Sequence, residues 1–154
     1  MICCGIDPGL GGAIALYDSE INFMEIHDCP VVKVNGKGEM FLPRLIEILT
    51  RYKIAMCVIE RSQPMPKQGV SSVFSYGRGY GCYLGVIAAL GIAHTKISPN
   101  EWKKKLRVPK DKDAARARAS ELMPAHSKEW MKKSDHGRAE AALLAFYGAH
   151  GAQL

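Results

Sequence analysis

The chain has 154 residues, 47% of them hydrophobic, which is enough for one domain whose core needs neither disulfides nor a metal to hold it. Five cysteines, at 3, 4, 29, 57 and 82, show no CxxC and no paired Cys/His spacing, which excludes a disulfide framework and a structural zinc site and favours a reduced compartment. The net charge of +6 is uneven, residues 101–154 holding 12 Lys/Arg against 7 Asp/Glu, so a polyanion is the expected partner; with no leader and no apolar run near the roughly 18 residues of a membrane span, a soluble cytoplasmic protein is expected.

The segments "MICCGID" and "GAIALYD" flank a glycine-rich turn and predict a β-hairpin, and "INFMEIHD", with Ile21, Phe23 and Ile26 inward, predicts a third strand. "VVKVNGKGEMF" carries Asn35-Gly36 and Gly38 and reads as a loop. "FLPRLIEILTRY", 41–52, puts Leu42, Leu45, Ile46, Leu49 and Tyr52 at helical spacing, with Pro43 tolerable in a first turn. "IAMCVIE", 54–60, is a continuous apolar run ending at Glu60, as expected of a central strand covered on both faces. A loop over 62–72 leads to a long glycine-containing apolar helix of about 73–91, then the short strand "IAHTKIS" and helices over 111–123 and 136–149. Alternating strands and helices after an antiparallel start predict a mixed α/β sheet in a single domain spanning 1–154.

Acidic residues stand at the ends of these core elements. Asp7 ends the first strand and Glu60 the fourth; if those strands are neighbours, their carboxylates meet at one sheet edge, where like charges near a core are costly unless a cation joins them. Mg²⁺ is the usual partner of an all-oxygen site. The last helix adds Glu140 beside its apolar face of Ala139, Ala142, Leu143 and Phe146, with His136 one turn earlier on the same side and Asp135 at the N-cap position. Asp7-Pro8-Gly9 alone is an ordinary turn and Asp135 alone an ordinary cap; it is the convergence of Asp7, Glu60 and Glu140, with Asp135 or His136, that points to a metal site. Two ions about 4 Å apart in such a cluster serve phosphodiester hydrolysis. Glycines 9, 11 and 12 then allow a tight turn behind Asp7 that leaves room for a phosphate backbone.

Four stretches in order, "GIDPGLGGAIAL", "CVIERSQPMPKQGVSSVFSYGRGYGCYLGVIAALGI", "SPNEWKKKL" and "KSDHGRAEAALLAFYG", resemble the RuvC-type Holliday-junction resolvases of the ribonuclease H-like superfamily, and most of all the branch found in bacteriophages and plant chloroplasts. The resemblance implies a five-stranded mixed sheet with helices on both faces, a homodimer, and Mg²⁺- or Mn²⁺-dependent symmetrical nicking of four-way DNA junctions. By position, Asp7 matches the first-strand carboxylate, Glu60 the mid-chain glutamate and Glu140 the final acid of the last helix. Bacterial RuvC proteins place a further ligand three residues before that acid. Here the position is Gly137, which leaves Asp135 and His136 as candidates, the first favoured by its hardness toward Mg²⁺ and the second by its helical angle.

DNA contacts are expected next to this site. The segment after Glu60 offers Arg61, Lys67 and Arg78 to phosphates, Gln63 and Gln68 to base edges, and Phe74 and Tyr76 as stacking surfaces. Seven basic residues lie between Lys103 and Arg116; Lys103, Lys104, Lys105, Lys110 and Lys112 are expected to track the duplex arms, the last two from a loop ahead of a helix. One lysine near the metals would also stabilise charge on phosphate, and the sequence does not single it out. Gly77, Gly79, Gly81 and Gly85 recur at spacings of two and four, a small-residue face suited to close helix packing across a dimer. The rival readings are a ribonuclease H-like nuclease acting on RNA–DNA hybrids or other branched DNA, a non-catalytic junction-binding module, and an ATP-gripping domain of the sugar-kinase type, which would need over twice this length.

Overall fold

β1 (Ile2–Ile6) sends Cys4 and Ile6 to one side of the sheet and Cys3 and Gly5 to the other, and helices cover both sides. The computed structural model describes residues 1–61, 63–64, 67–109 and 111–151. β2 (Ala13–Asp18) and β3 (Phe23–Asp28) pair antiparallel in succession, while β6 (Ile54–Glu60) pairs parallel with β1 and β7 (His94–Ile97) parallel with β6, giving the order β3-β2-β1-β6-β7. The expected mixed five-stranded sheet is therefore observed. Ile21, expected inward, is 73% exposed because it lies in the turn ahead of β3.

Cys4, Ile6, Ile14, Leu16, Cys57 and Ile59 pack against α1 (Leu42–Thr50) and α2 (Val70–Ala89) on one face. Full burial of an aliphatic side chain contributes about 1.5–3 kcal/mol, so this layer is a main source of stability. The buried face of α1 is Leu45, Ile48 and Leu49, whereas Leu42 and Ile46 are exposed; the stripe lies one residue further round the helix than the spacing predicts. α2 begins at Val70, three residues before its expected start.

The opposite face receives α3 (Pro99–Lys105), α4 (Lys112–Leu122) and α5 (His136–His150), with two 3₁₀ turns between α4 and α5. α5 rests directly on β1: a Cβ at Gly5 would come within 2.1 Å of the Ala141 carbonyl oxygen. Small residues along α5 permit the approach, and it is buried through most of 137–145, with Phe146 only half-buried at the rim of the expected apolar face.

Two elements depart from the sequence reading. The stretch read as a loop forms a two-stranded ribbon of β4 (Val31–Val34) and β5 (Lys37–Met40), turned by Asn35 and Gly36 at φ 50° and 76°. That left-handed pair is the primed turn favoured by Asn-Gly in hairpins. α3 was not foreseen; it is capped by Ser98, whose Oγ accepts from the Glu101 backbone N–H at 3.3 Å. Among the described residues no helix is long and apolar enough to cross a membrane.

Candidate active site

Parallel pairing of β1 with β6 sets Ile6 opposite Ile59, so Asp7 and Glu60 leave neighbouring strands at the same carboxyl edge. Open α/β sheets commonly bind ligands at this edge. The turn behind Asp7 is closed by hydrogen bonds from the Asp7 N–H to the Ala13 carbonyl at 3.0 Å and from the Gly12 N–H to the Gly9 carbonyl at 2.9 Å. Gly12 is required here, since a Cβ would lie 2.2 Å from the Asp7 carbonyl oxygen. Gly11 has open space around it, which fits the expectation of room beside the carboxylate.

α5 brings its N-terminal turn onto this loop. A Cβ at Gly137 would stand 2.7 Å from the Gly11 carbonyl oxygen and 3.1 Å from Asp7 Oδ2. One turn on, Glu140 faces the same cleft, an opening of about 520 Å³ lined also by Asp7, Tyr76, Lys103 and His136. Glu60 is not among the residues that line it; its Oε2 accepts from the indole Nε1 of Trp102 at 2.7 Å. Trp102 is fully buried, so this bond satisfies its one polar atom.

Electrostatics bind the three acids into one unit. Burial, then the charges of Glu140 and Glu60, push Asp7 up to about 7, against a small opposing pull from the Gly9 N–H and Lys103. Glu60 is raised by burial, with the Trp102 hydrogen bond opposing and the Glu140 charge adding. Lys103 Nζ donates to Glu140 Oε1 at 2.8 Å and is the cation inside the cluster.

The donor set suits a hard divalent ion, because carboxylates that raise one another's affinity for protons gain most from a cation. In the arrangement seen, Glu140 is turned onto Lys103 and Glu60 onto Trp102, and among the described residues no three Asp, Glu, His or Cys side chains lie close enough to hold one ion.

The two further candidates are placed differently. His136 lines the cleft beside Glu140. Asp135 instead closes the preceding 3₁₀ turn, its Oδ2 accepting from the Lys132 N–H at 2.9 Å.

Of the expected DNA contacts, Arg61 and Lys67 are exposed beyond Glu60, and Gln63 and Gln68 border a small recess with Tyr76 and Tyr80. Phe74 is 72% exposed, so it faces outward rather than into the core. Arg78 forms an ion pair with Glu39 of β5 at 3.2 Å. Lys104 and Lys105 are exposed in the last turn of α3. Lys110 lies outside the described residues; Lys112, expected in a loop, is the first residue of α4 behind an Asp111 cap, and its side chain is likewise outside the description. Trp102 was missed altogether, although the Ser98-Pro99-Asn100-Glu101 start signal of α3 is readable in the sequence.

No family model and no curated protein sequence matches the chain. Among solved structures it is similar over 98% of its length to RuvC of Thermus thermophilus in complex with a Holliday junction substrate, covering 97% of that chain with a TM-score of 0.63 and 18% identity. The chain has the RuvC fold. A second structure of Thermus thermophilus RuvC aligns over the same shares of both chains, with a TM-score of 0.61 and 16% identity. This RuvC-like sheet accounts for the two features on which the site depends, the parallel β1–β6 pair and the final helix laid across it.

Proposed function

We propose that the protein is a Holliday-junction resolvase, a divalent-metal-dependent endonuclease that nicks four-way DNA junctions symmetrically as a homodimer. The observation that carries the reading is that Asp7, Glu60 and Glu140, from three elements far apart in the chain, lie near enough to feel one another's charge, with Lys103 bonded to Glu140. The fold shared with RuvC supports the same reading.

Asp7, Glu60 and Glu140, joined by His136, would hold Mg²⁺ or Mn²⁺. Bound there, a pair of such ions supplies water activation and stabilisation of the leaving oxygen. The chain's own groups do the rest. Lys103, released from Glu140, faces the scissile phosphate across the cleft and offsets its growing negative charge. Tyr76 also lines the cleft and would orient the strand. The reaction adds water across the P–O3′ bond, leaving a 5′-phosphate and a 3′-hydroxyl.

A homodimer fits the outward side of α2, where Gly77, Gly81 and Gly85 succeed one another every four residues with nothing within 4 Å of their Cβ positions. A second helix can approach closely along such a stripe, and a two-fold enzyme suits a two-fold junction.

Incubation of the purified protein with Mg²⁺ and a synthetic mobile junction, an RNA–DNA hybrid and a linear duplex tests the proposal. Paired nicks at symmetric positions in the junction are expected, with the other two left intact. Equal cutting of all three overturns the resolvase assignment, and cutting of the hybrid alone replaces it with a ribonuclease.

A further inference from the structure

The β4–β5 ribbon is built as a contact element. β4 and β5 pair with each other and with none of the five sheet strands. All four residues of β4 are exposed, including Val31, Val32 and Val34 at 41%, 38% and 43%. A projecting apolar strand of this kind is an aggregation hazard unless something covers it.

The ribbon is nonetheless held firmly. The Asn35–Gly36 turn closes its tip, a hydrogen bond from the Phe41 N–H to the Pro30 carbonyl at 2.8 Å closes its base, and the Glu39–Arg78 ion pair ties it to α2. Its flank meets Leu10: a Cβ at Gly38 would lie 3.7 Å from Leu10 Cδ1. Leu10 belongs to the same turn that lines the carboxylate cleft through Gly9 and Gly11. The ribbon therefore stands directly beside the turn at which the scissile phosphate is to be held.

Its charges suit a polyanion on both sides. Cross-strand pairing sets Lys33 opposite Gly38 and Lys37 opposite Val34, so the two lysines project from opposite faces near the tip. A two-stranded ribbon fits the major groove of a DNA duplex, where it meets a wall of phosphates on either side and thymine methyls on the floor. Resting on the resolvase reading above, we infer that the β4–β5 ribbon enters the major groove of the junction arm adjoining the cleft, with Lys33 and Lys37 each gripping one phosphate wall.

The test uses Asp7→Asn protein, which is expected to hold a junction uncut, with and without Lys33→Ala and Lys37→Ala. Junction affinity is measured from 50 to 200 mM salt. Loss of two phosphate contacts lowers the slope of log affinity against log salt by about 2. A drop in affinity of tenfold or more is expected at about 100 mM salt, with recovery by Lys33→Arg/Lys37→Arg and no change in melting temperature. An unchanged slope with intact binding overturns the inference while leaving the nuclease reading standing, and hands the ribbon to a protein partner. Weaker binding with an unchanged slope and no recovery by arginine also overturns it. Failure of the Asp7→Asn protein to bind any junction removes both.

Discussion

The ammonium of Lys103 sits 2.8 Å from Glu140, inside the acidic cluster rather than out along a DNA-tracking surface. A lysine in that place balances carboxylates in the free protein and, under the proposed function, would balance phosphate in the complex. Lys103→Ala is expected to slow single-turnover junction cleavage by about 10²–10³-fold, the range for loss of one charge-stabilising donor. Junction affinity should change by less than about threefold, since one contact among many is removed. If binding falls as far as cleavage, Lys103 is a backbone grip and nothing more.

Trp102 holds Glu60 by its indole N–H, so Trp102→Phe keeps most of the packing and removes the donor. Loss of a hydrogen bond to a charged group costs about 1.5–3 kcal/mol, visible as a lower melting temperature. A freed Glu60 should also raise the Mg²⁺ concentration for half-maximal cleavage. Calorimetry and a metal titration check the two outcomes, and a variant with unaltered metal dependence denies Trp102 its orienting part.

Asp7 makes the metal-free protein pH-sensitive. Its carboxyl has an ordinary value of 3.8 in an unfolded chain and about 7 in the fold, so the folded state binds the proton more tightly. Stability from this group is fully present below 3.8 and is lost as pH rises through about 7. In chelator, the melting temperature of Asp7→Asn minus that of the wild type should therefore grow from pH 4 to pH 8. Mg²⁺ added at pH 8 should stabilise the wild type and leave Asp7→Asn unmoved. A difference that is flat with pH contradicts the electrostatic reading of the cluster.

How much of this was legible in the sequence follows from what each residue depends on. The strands and the final helix were readable because apolar periodicity and their bounding glycines are local signals, and Asp7, Glu60 and Glu140 stood out at the ends of those runs. Which lysine joins the acids was not readable. Seven basic residues share one stretch, and only the packing that brings α3 against α5 singles out Lys103 through its bond to Glu140. The ribbon was obscured for another reason: a single Asn-Gly signal sits among Lys, Gly and exposed valines that lack the one-sided alternation of a core strand.

His136 and Asp135 separate cleanly in structure. His136→Ala, at the cleft, should lower metal-dependent cleavage at least tenfold with an unchanged fold. Asp135→Ala removes the acceptor for the Lys132 N–H and should cost about 1 kcal/mol of stability, as loss of a cap does, while cleavage stays within about threefold. The reverse pattern in parallel assays and melts would move the fourth ligand to Asp135.

Gly137 seats the start of α5 closely against the turn behind Asp7. Any side chain here would be driven into the Gly11 carbonyl and Asp7 Oδ2, and both belong to the turn that sets the first carboxylate. Gly137→Ala must push the α5 terminus and the β1–β2 turn apart. Cleavage is the sensitive readout, because small misplacements of catalytic groups cost about 10²-fold in rate. Stability should fall by the 1–3 kcal/mol typical of an overpacked site. Gly5→Ala supplies the contrast, since the nearest atoms to its Cβ would be α5 backbone, at 2.1 Å from the Ala141 oxygen and 2.3 Å from the Ala145 nitrogen. It should unfold the domain outright, seen as insoluble expression or loss of a cooperative melt. Were Gly137→Ala to cut junctions at the wild-type rate, the close seating of α5 on the Asp7 turn would have no bearing on the chemistry.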